Sequence, residues 1–280
     1  MQWYPGHMAK AKKEIQEKLG LVDIVYELID ARIPYSSRNP MINEILKSKE
    51  RLIIITKSTL ADNIETARWQ AYFKSQNIPS LVIDSVSGFN VNKIVSTSKT
   101  ILEEKFLKEK KKGLKPRSIR AMVLGIPNVG KSTLINKLVN KKVSNVGNRP
   151  GVTVAQQWIR IHKDLDLLDT PGVLWPKFED PKVGMHLALT GAIKDEVLKN
   201  KEDMIEYLLN FLKQYYPKEL TNRYNIDINQ NNQAIIMEIG KARGNIKNNE
   251  VEYEVVIDAI LHEFKNAKIG RITLDRLDNE

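Results

Sequence analysis

The stretch IRAMVLGIPNVGKSTLINKLV, residues 119–139, decides how the rest of the chain is read. Ile119–Leu124 is an apolar run that reads as a strand. Gly125 to Ser132 fits Gly, four residues, Gly-Lys-Ser, and Thr133 to Val139 follows with helical spacing. Strand, loop and helix in that order are the context a phosphate-binding loop requires. Backbone N–H groups from Asn128, Val129, Gly130, Lys131, Ser132 and Thr133 can then surround phosphate oxygens at a helix N-terminus. Lys131 would reach the terminal phosphates and act in catalysis, and Ser132 would ligate Mg²⁺. About 120 residues precede this loop, and they need an explanation of their own.

Other apolar, β-rich runs lie at Val22–Ile29, Leu52–Ile55, Leu81–Ile83, Trp158–Ile161 and Leu165–Leu168. Helical patterns separate most of them, for example Ile64–Gln76 and Val91–Lys108. This alternation predicts an α/β fold with a mostly parallel sheet covered on both faces. Lys105–Arg120 carries eight basic residues and one acid and reads as an exposed connection. After Pro176 the strand pattern stops. Val183–Leu198, Asp203–Tyr216, Gln233–Arg243 and Val251–Ala267 read as helices, with a loop-like stretch around Asn225–Gln233. The expected division is an α/β domain carrying the phosphate loop over residues 1–177 and a smaller, mainly α-helical domain over 178–280.

Composition narrows the class. The net charge is +10. Residues 1–177 hold 30 Lys and Arg against 16 Asp and Glu, whereas residues 178–280 hold 14 against 18. Basic charge concentrated in one part points to a polyanionic partner, nucleic acid first. Lys10, Lys12, Lys13 and Lys18 on a short N-terminal helix suit phosphate contacts, as does the 105–120 run. Lys241, Arg243, Lys247, Lys265, Lys268 and Arg271 suggest a basic face farther on. There is no cysteine, hence no disulfide and no thiolate metal site, which suits the cytoplasm. No apolar run approaches the roughly 18 residues of a membrane span, and no signal-peptide core opens the chain.

Two further motifs follow the loop. Asp169-Thr170-Pro171-Gly172 lies roughly 40 residues after it, at the end of a strand. Asp169 can hold Mg²⁺ through water, and the Gly172 N–H can contact a γ-phosphate. Between them, Arg149-Pro150-Gly151-Val152-Thr153 places Thr153 as a switch threonine completing the Mg²⁺ shell, or as an ordinary loop threonine. Nothing after Pro176 resembles a base-recognition loop. Before the phosphate loop, Ile53–Thr56 runs into Lys57, Ser58 and Thr59, and Leu81–Asp84 runs into Ser85, Val86, Ser87 and Gly88. Both are strands followed by polar loops, as base recognition needs. The order, base loops first and phosphate loop later, is that of a circular permutation. Such rerouting is cheap because the sheet fixes the site while surface connections change.

The chain thereby resembles the circularly permuted GTPases of ribosome assembly, the YlqF group in particular. The markers are Trp3-Tyr4-Pro5-Gly6-His7-Met8, Asp30-Ala31-Arg32, Gly125–Ser132, Asp169–Gly172 and Thr190-Gly191-Ala192, and the resemblance covers the whole chain. The resemblance implies a circularly permuted P-loop GTPase domain followed by a helical RNA-binding domain. It implies GTP hydrolysis to GDP coupled to late maturation of the large ribosomal subunit, with the subunit precursor and rRNA as partners. Neither a membrane partner nor oligomerisation is expected. It suggests a K⁺ held with help from Asn128, although Asn also suits unusual loop backbone angles. It suggests His7 as a catalytic group as well, against the plain alternative of a structural loop histidine. Val173 fills the place of the usual water-positioning Gln, so low basal turnover and activation by the particle are expected.

One departure stands out. The family's base motif is Asn-Lys-x-Asp, and here it is Thr56-Lys57-Ser58-Thr59. Losing a charged hydrogen bond costs about 1.5–3 kcal/mol. Asp62 is the nearest downstream carboxylate, able to substitute only after rearrangement. Two other readings stay open: a P-loop NTPase with relaxed base preference acting in RNA remodelling or signalling, and an RNA-binding module with an idle nucleotide site.

Overall fold

The computed structural model describes residues 5–46, 48–139, 158–168, 180–193, 200–247 and 250–277, with the backbone alone for 5–11 and His162. The six apolar runs are six strands: β1 (Ile24–Asp30), β2 (Glu50–Thr56), β3 (Ser80–Val82), β4 (Ile119–Gly125), β5 (Trp158–His162) and β6 (Leu165–Leu168). They form one sheet in the order β3-β2-β1-β4-β6-β5, parallel except for β5 at the edge. β1 lies between β2 and β4, with Tyr26 facing Leu52 on one side and Val123 on the other. The segment before the phosphate loop therefore supplies half of the sheet that carries the loop. Every residue of β1 is buried, which is why its sequence is nearly continuous in apolar residues.

The charges inside that strand are paired. Glu27 is held by Arg38 at 3.1 Å and Arg51 at 3.2 Å. Asp23, just ahead of β1, binds the Arg117 guanidinium at 2.7 Å, the Lys105 ammonium and the Arg120 N–H. Burial raises this carboxyl, but those three donors outweigh it and hold Asp23 well below the usual carboxylate range. The basic run thus begins inside a helix, α5 (Glu103–Lys111), and part of its charge is tied to the sheet.

Helices α1 (Pro5–Leu19), α2 (Pro40–Leu46), α3 (Asn63–Ser75), α4 (Lys93–Ile101) and α6 (Lys131–Val139) complete the layers about the sheet. Trp69 and Phe73, one turn apart on α3, pack with Ile29, Ile53 and Ile55 on one face. From residue 180 onward come α7 (Pro181–Leu189), α8 (Lys201–Tyr215), α9 (Pro217–Tyr224), α10 (Asn232–Arg243) and α11 (Tyr253–Lys265). A short hairpin, β7 (Ile246–Lys247) with β8 (Glu250–Val251), follows α10. Beyond the helix predicted over Asp203–Tyr216, Pro217 occupies the first turn of a further helix, α9, where no N–H is needed.

The chain then returns to the sheet. Leu274 N–H donates to the Arg32 carbonyl at 2.7 Å, Trp69 Nε1 donates to the Asp275 carbonyl at 3.1 Å, and Arg276 pairs with Glu65 at 3.1 Å. One buried apolar cluster consequently runs from Ile24 to Leu274.

Within the helical part, Glu263 of α11 joins three helices. It accepts from Arg223 at 2.7 Å, Arg243 at 2.6 Å and the Tyr224 hydroxyl at 3.0 Å. Burial raises the carboxyl, and these donors bring it instead from 4.5 to about 2. A depressed carboxylate adds stability that is fully present above its unfolded pKa and is lost as pH falls through the folded value. Glu263→Gln is expected to cost roughly 1–3 kcal/mol at pH 7 by denaturant unfolding. The gap between variant and wild type should close as pH falls from 4.5 towards about 2; a gap that stays constant would remove the ionised carboxylate from the explanation.

Candidate functional site

The phosphate loop joins β4 to α6. A Cβ on Gly125 would lie 2.9 Å from the Leu28 carbonyl oxygen, a backbone neighbour that cannot yield, so the strand must end in glycine. Asn128 (φ 57°) and Gly130 (φ 105°) are left-handed, and buried Val129 anchors the loop between them. Lys131 is half-buried, its ammonium donating to the Gly125 and Ile126 carbonyls at 3.1 Å each. Ser132 and Thr133 are exposed in the first turn of α6. A left-handed loop and a cation thus stand at the positive end of a helix, which suits a polyphosphate. An exposed hydroxyl beside such a cradle suits Mg²⁺, a hard cation that takes oxygen ligands and substrate phosphates.

The two base-loop segments lie against this loop. Thr56 Oγ1 bridges the Ile29 carbonyl at 2.9 Å and the Val129 carbonyl at 2.7 Å. Lys57 adopts the left-handed conformation and reaches the Asn128 carbonyl at 2.7 Å and Asp30 Oδ2 at 2.9 Å. Ser58 is buried, whereas Thr59 is exposed and donates to Asp84 Oδ2 at 2.7 Å. Asp84 Oδ1 accepts from the Ser87 N–H at 2.7 Å and the Ser87 hydroxyl at 2.8 Å. Val86 stands out from the surface, and Ser85 Oγ is buried with no hydrogen-bond partner among the described residues.

Asp62 is not at this site. Its Oδ1 caps α3 through the Ile64 N–H at 2.8 Å, and its Oδ2 takes the Tyr216 hydroxyl at 3.0 Å. The carboxylate that meets Thr59 is Asp84, the last residue of the run Leu81–Asp84.

Two of the marker motifs meet here. Asp30 Oδ1 accepts from the Arg32 N–H and Nε, both at 3.0 Å, and Oδ2 accepts from Arg32 Nη2 at 2.8 Å. Burial raises the Asp30 carboxyl, but the adjacent Arg32 and Lys57 cations drive it far below the usual range. The rest of the Arg32 guanidinium reaches the Thr190 carbonyl at 3.1 Å and the Lys265 carbonyl at 3.0 Å. Beside it, Asn128 Nδ2 donates to the Gly191 carbonyl at 3.0 Å. The phosphate loop, the base loop and the helical part are thereby fastened at one point. Asn128 Oδ1, the atom a K⁺ would take, carries no hydrogen bond among the described residues.

His186 has neighbours that imitate a hydrolytic triad. Its Nδ1 lies 2.6 Å from Asp275 Oδ1 and 3.2 Å from Ser36 Oγ, and Nε2 lies 2.6 Å from the Tyr207 hydroxyl. Ser36, His186 and Asp275 are all buried, and the serine proton goes to Asp275 at 2.7 Å. The group pins the returning tail to α7; no substrate can reach it. His262 is exposed. His7 lies on α1, where only the backbone is described. Thr153, Asp169, Gly172 and Val173 lie outside the described residues.

Some candidate RNA-contacting cations are engaged. Lys12 pairs with Glu44 at 3.1 Å, and Arg243 with Glu263 at 2.6 Å. Lys13, Lys110, Lys111, Lys241 and Lys247 are exposed.

A family profile described as "50S ribosome-binding GTPase" matches residues 120–241. It begins at the phosphate-loop strand and runs on into the helical part. Ribosome biogenesis GTPase A of Bacillus licheniformis is 51% identical over 278 residues, covering 99% of this chain and 98% of that one. Mitochondrial ribosome-associated GTPase 1 of Xenopus tropicalis is 32% identical and covers 98% of this chain and 94% of its own length. Among solved structures, the GDP-bound structure of TM YlqF is similar in fold, with a TM-score of 0.66 and 23% identity, over 95% of this chain and 99% of that one.

The geometry around Lys131 yields a direct test. Its ammonium donates to loop carbonyls and the side chain is only half-buried, so Lys131→Ala should keep the wild-type melting temperature within a few degrees. Calorimetric titration should show nucleoside triphosphate affinity falling at least about tenfold, the loss of one charge-assisted contact. Unchanged affinity would exclude this loop as the phosphate site.

Proposed function

The chain belongs to the ribosome biogenesis GTPase A family, and from that premise we propose that it hydrolyses GTP to GDP as an assembly factor. Its place is the late maturation of the large (50S) ribosomal subunit, where it binds rRNA in a nucleotide-dependent way. The observation carrying the proposal is the joint formed by Asn128, Gly191, Arg32 and Thr190. A phosphate loop hydrogen-bonded to the helical part gives nucleotide state a route to a second binding surface. The concentration of basic charge in residues 1–177 supports a polyanionic partner.

In this reading residues 1–177 are the permuted GTPase domain and 178–280 the RNA-binding helical domain, whose tail returns to the sheet. Lys131 neutralises charge developing on the transferred phosphoryl group, and loop amides position it. Ser132, Thr153 and Asp169 would hold Mg²⁺, which shields phosphate charge when bound. The Gly172 N–H meets the γ-phosphate, and Thr153 orders around it in the triphosphate state. Lys57, Thr59 and Ser85–Ser87 surround the base. Asn128 would help hold a K⁺, which would add positive charge beside the phosphates. The protein acts as a cytoplasmic monomer. The competing reading, an NTPase of relaxed base preference, rests on Thr59 standing where an aspartate is expected. Titration with GTP and ATP separates the two, and equal affinities would favour the competitor.

Val173 cannot orient the attacking water, so basal turnover is slow and the particle supplies the missing order through His7. Phosphate release should accelerate strongly with large subunits, and more in K⁺ than in Na⁺. Supplying a missing transition-state charge or guide is worth ~10³–10⁵ in rate. His7→Ala should bind nucleotide and particle yet lose at least about tenfold of the stimulation. Stimulation that survives this change would assign activation to the particle itself.

Affinity for rRNA should fall steeply with salt, because each phosphate contact releases counterion. Charge reversal at Lys10 and Lys13 should lower both affinity and the slope of log affinity against log salt. A flat response in wild type would remove backbone phosphates from the interface.

A further inference from the structure

Thr59 and Asp84 come from different loops, yet they form one unit. Asp84 is 3% exposed, whereas Thr59 is open to the surface. A threonine hydroxyl has one proton and two lone pairs, and here the proton goes to Asp84 Oδ2 at 2.7 Å. Asp84 cannot turn away, because Ser87 holds Oδ1 through its N–H and its hydroxyl. Burial raises the Asp84 carboxyl, but the Ser87 N–H, the Thr59 and Ser87 hydroxyls and the Val86 N–H outweigh it and keep the group ionised. An ionised carboxylate only accepts, so the Thr59 proton stays committed to it.

Building on the base-loop assignment under Proposed function, we propose that Thr59 and Asp84 together read the base. The buried carboxylate fixes Thr59 Oγ1 as an acceptor, which selects a 6-oxopurine nucleotide over an adenine nucleotide. Asp84 is a positioning residue; Thr59 makes the contact. Guanine and hypoxanthine carry an N–H at ring position 1, which this oxygen can accept. Adenine carries a lone pair there, and two acceptors would face each other with no proton between them. The electrostatic pull of Asp84 also strengthens Thr59 as an acceptor, since linked hydrogen bonds polarise one another.

The arrangement differs from an aspartate in a measurable way. An aspartate has two oxygens for the two donors of guanine, N1–H and the 2-amino group. Thr59 offers a single oxygen, which cannot meet both parallel N–H donors with straight hydrogen bonds, so it takes N1–H. GDP and IDP, which differ by the 2-amino group, should therefore bind within about threefold of each other, while ADP should bind at least about tenfold more weakly.

The test is calorimetric titration of the full-length protein with GDP, IDP and ADP, in wild type, Thr59→Ser, Thr59→Val and Asp84→Asn. Thr59→Ser should keep the wild-type GDP-to-ADP ratio. Thr59→Val should lower it about tenfold, the worth of one hydrogen bond to a polarised acceptor. Thr59 is exposed, so the valine variant decides the matter even if Asp84→Asn fails to fold. A folded Asp84→Asn should lose the same selectivity, because an amide can donate to Thr59 and release its proton. Equal binding of GDP and ADP by wild type would overturn the proposal, and so would a ratio that survives Thr59→Val. GDP binding tenfold or more tighter than IDP would overturn it too, since a second acceptor would then be reading the base. Failure of all three nucleotides to bind would instead overturn the site assignment, and this proposal with it.

Discussion

The Asp30 carboxylate is the interaction on which the rest of the structure depends. It ends the central strand β1, fully desolvated, and a charge so placed must be paired or it destabilises the fold by several kcal/mol. Arg32 meets it through a backbone N–H and two guanidinium nitrogens, and Lys57 adds a second cation. Pairing with Lys57 holds the base loop against the end of the sheet. Pairing with Arg32 aims the remaining guanidinium donors at Thr190 and Lys265, in the helical part. One buried negative charge thus positions three elements distant in sequence.

The permuted order works because of the sheet. β1 and β4 are neighbours in the middle, so their loops open at the same edge whichever strand comes first in the chain. The connection between the halves has only to cross the surface, and lengthening such a crossing costs little. Asp23 limits even that freedom by tying Lys105 and Arg117 to the start of β1.

The sheet was legible because β1, β2 and β4 are buried on both faces, which writes itself as continuous apolar runs. The phosphate loop was legible because its glycines and lysine are local in sequence. Much of the site was not, because its contacts are tertiary. Asp62 drew attention by standing three residues after Thr59, yet a helix start claims it. Asp84 is the true neighbour, brought close by β2 lying beside β3. Nor does a count of lysines and arginines tell which are spent on internal partners, as Lys12, Arg117 and Arg243 are. The buried group of Ser36, His186 and Asp275 is the reverse case, residue types that suggest chemistry in a setting that forbids it.

Asn128 shows why phosphate binding and the placement of the helical part are one problem. Its left-handed backbone shapes the phosphate loop, its carbonyl accepts from Lys57, and its side chain holds Gly191. Gly191 is itself left-handed at φ 73°, closing the α7 turn so that its carbonyl faces Asn128. A ligand that moves this residue must strain or release the Gly191 contact. A partner that shifts α7 must likewise act on the loop. Coupling of this kind is reciprocal: whatever free energy a nucleotide contributes to one arrangement of the helices, a partner favouring that arrangement returns to nucleotide affinity. The strength of the coupling is bounded by the few hydrogen bonds at the joint, each worth about 0.5–1.5 kcal/mol net. For the nucleotide-dependent binding proposed above, that range suits a switch, because a joint much stronger would hold one state whatever was bound, and one much weaker would transmit nothing.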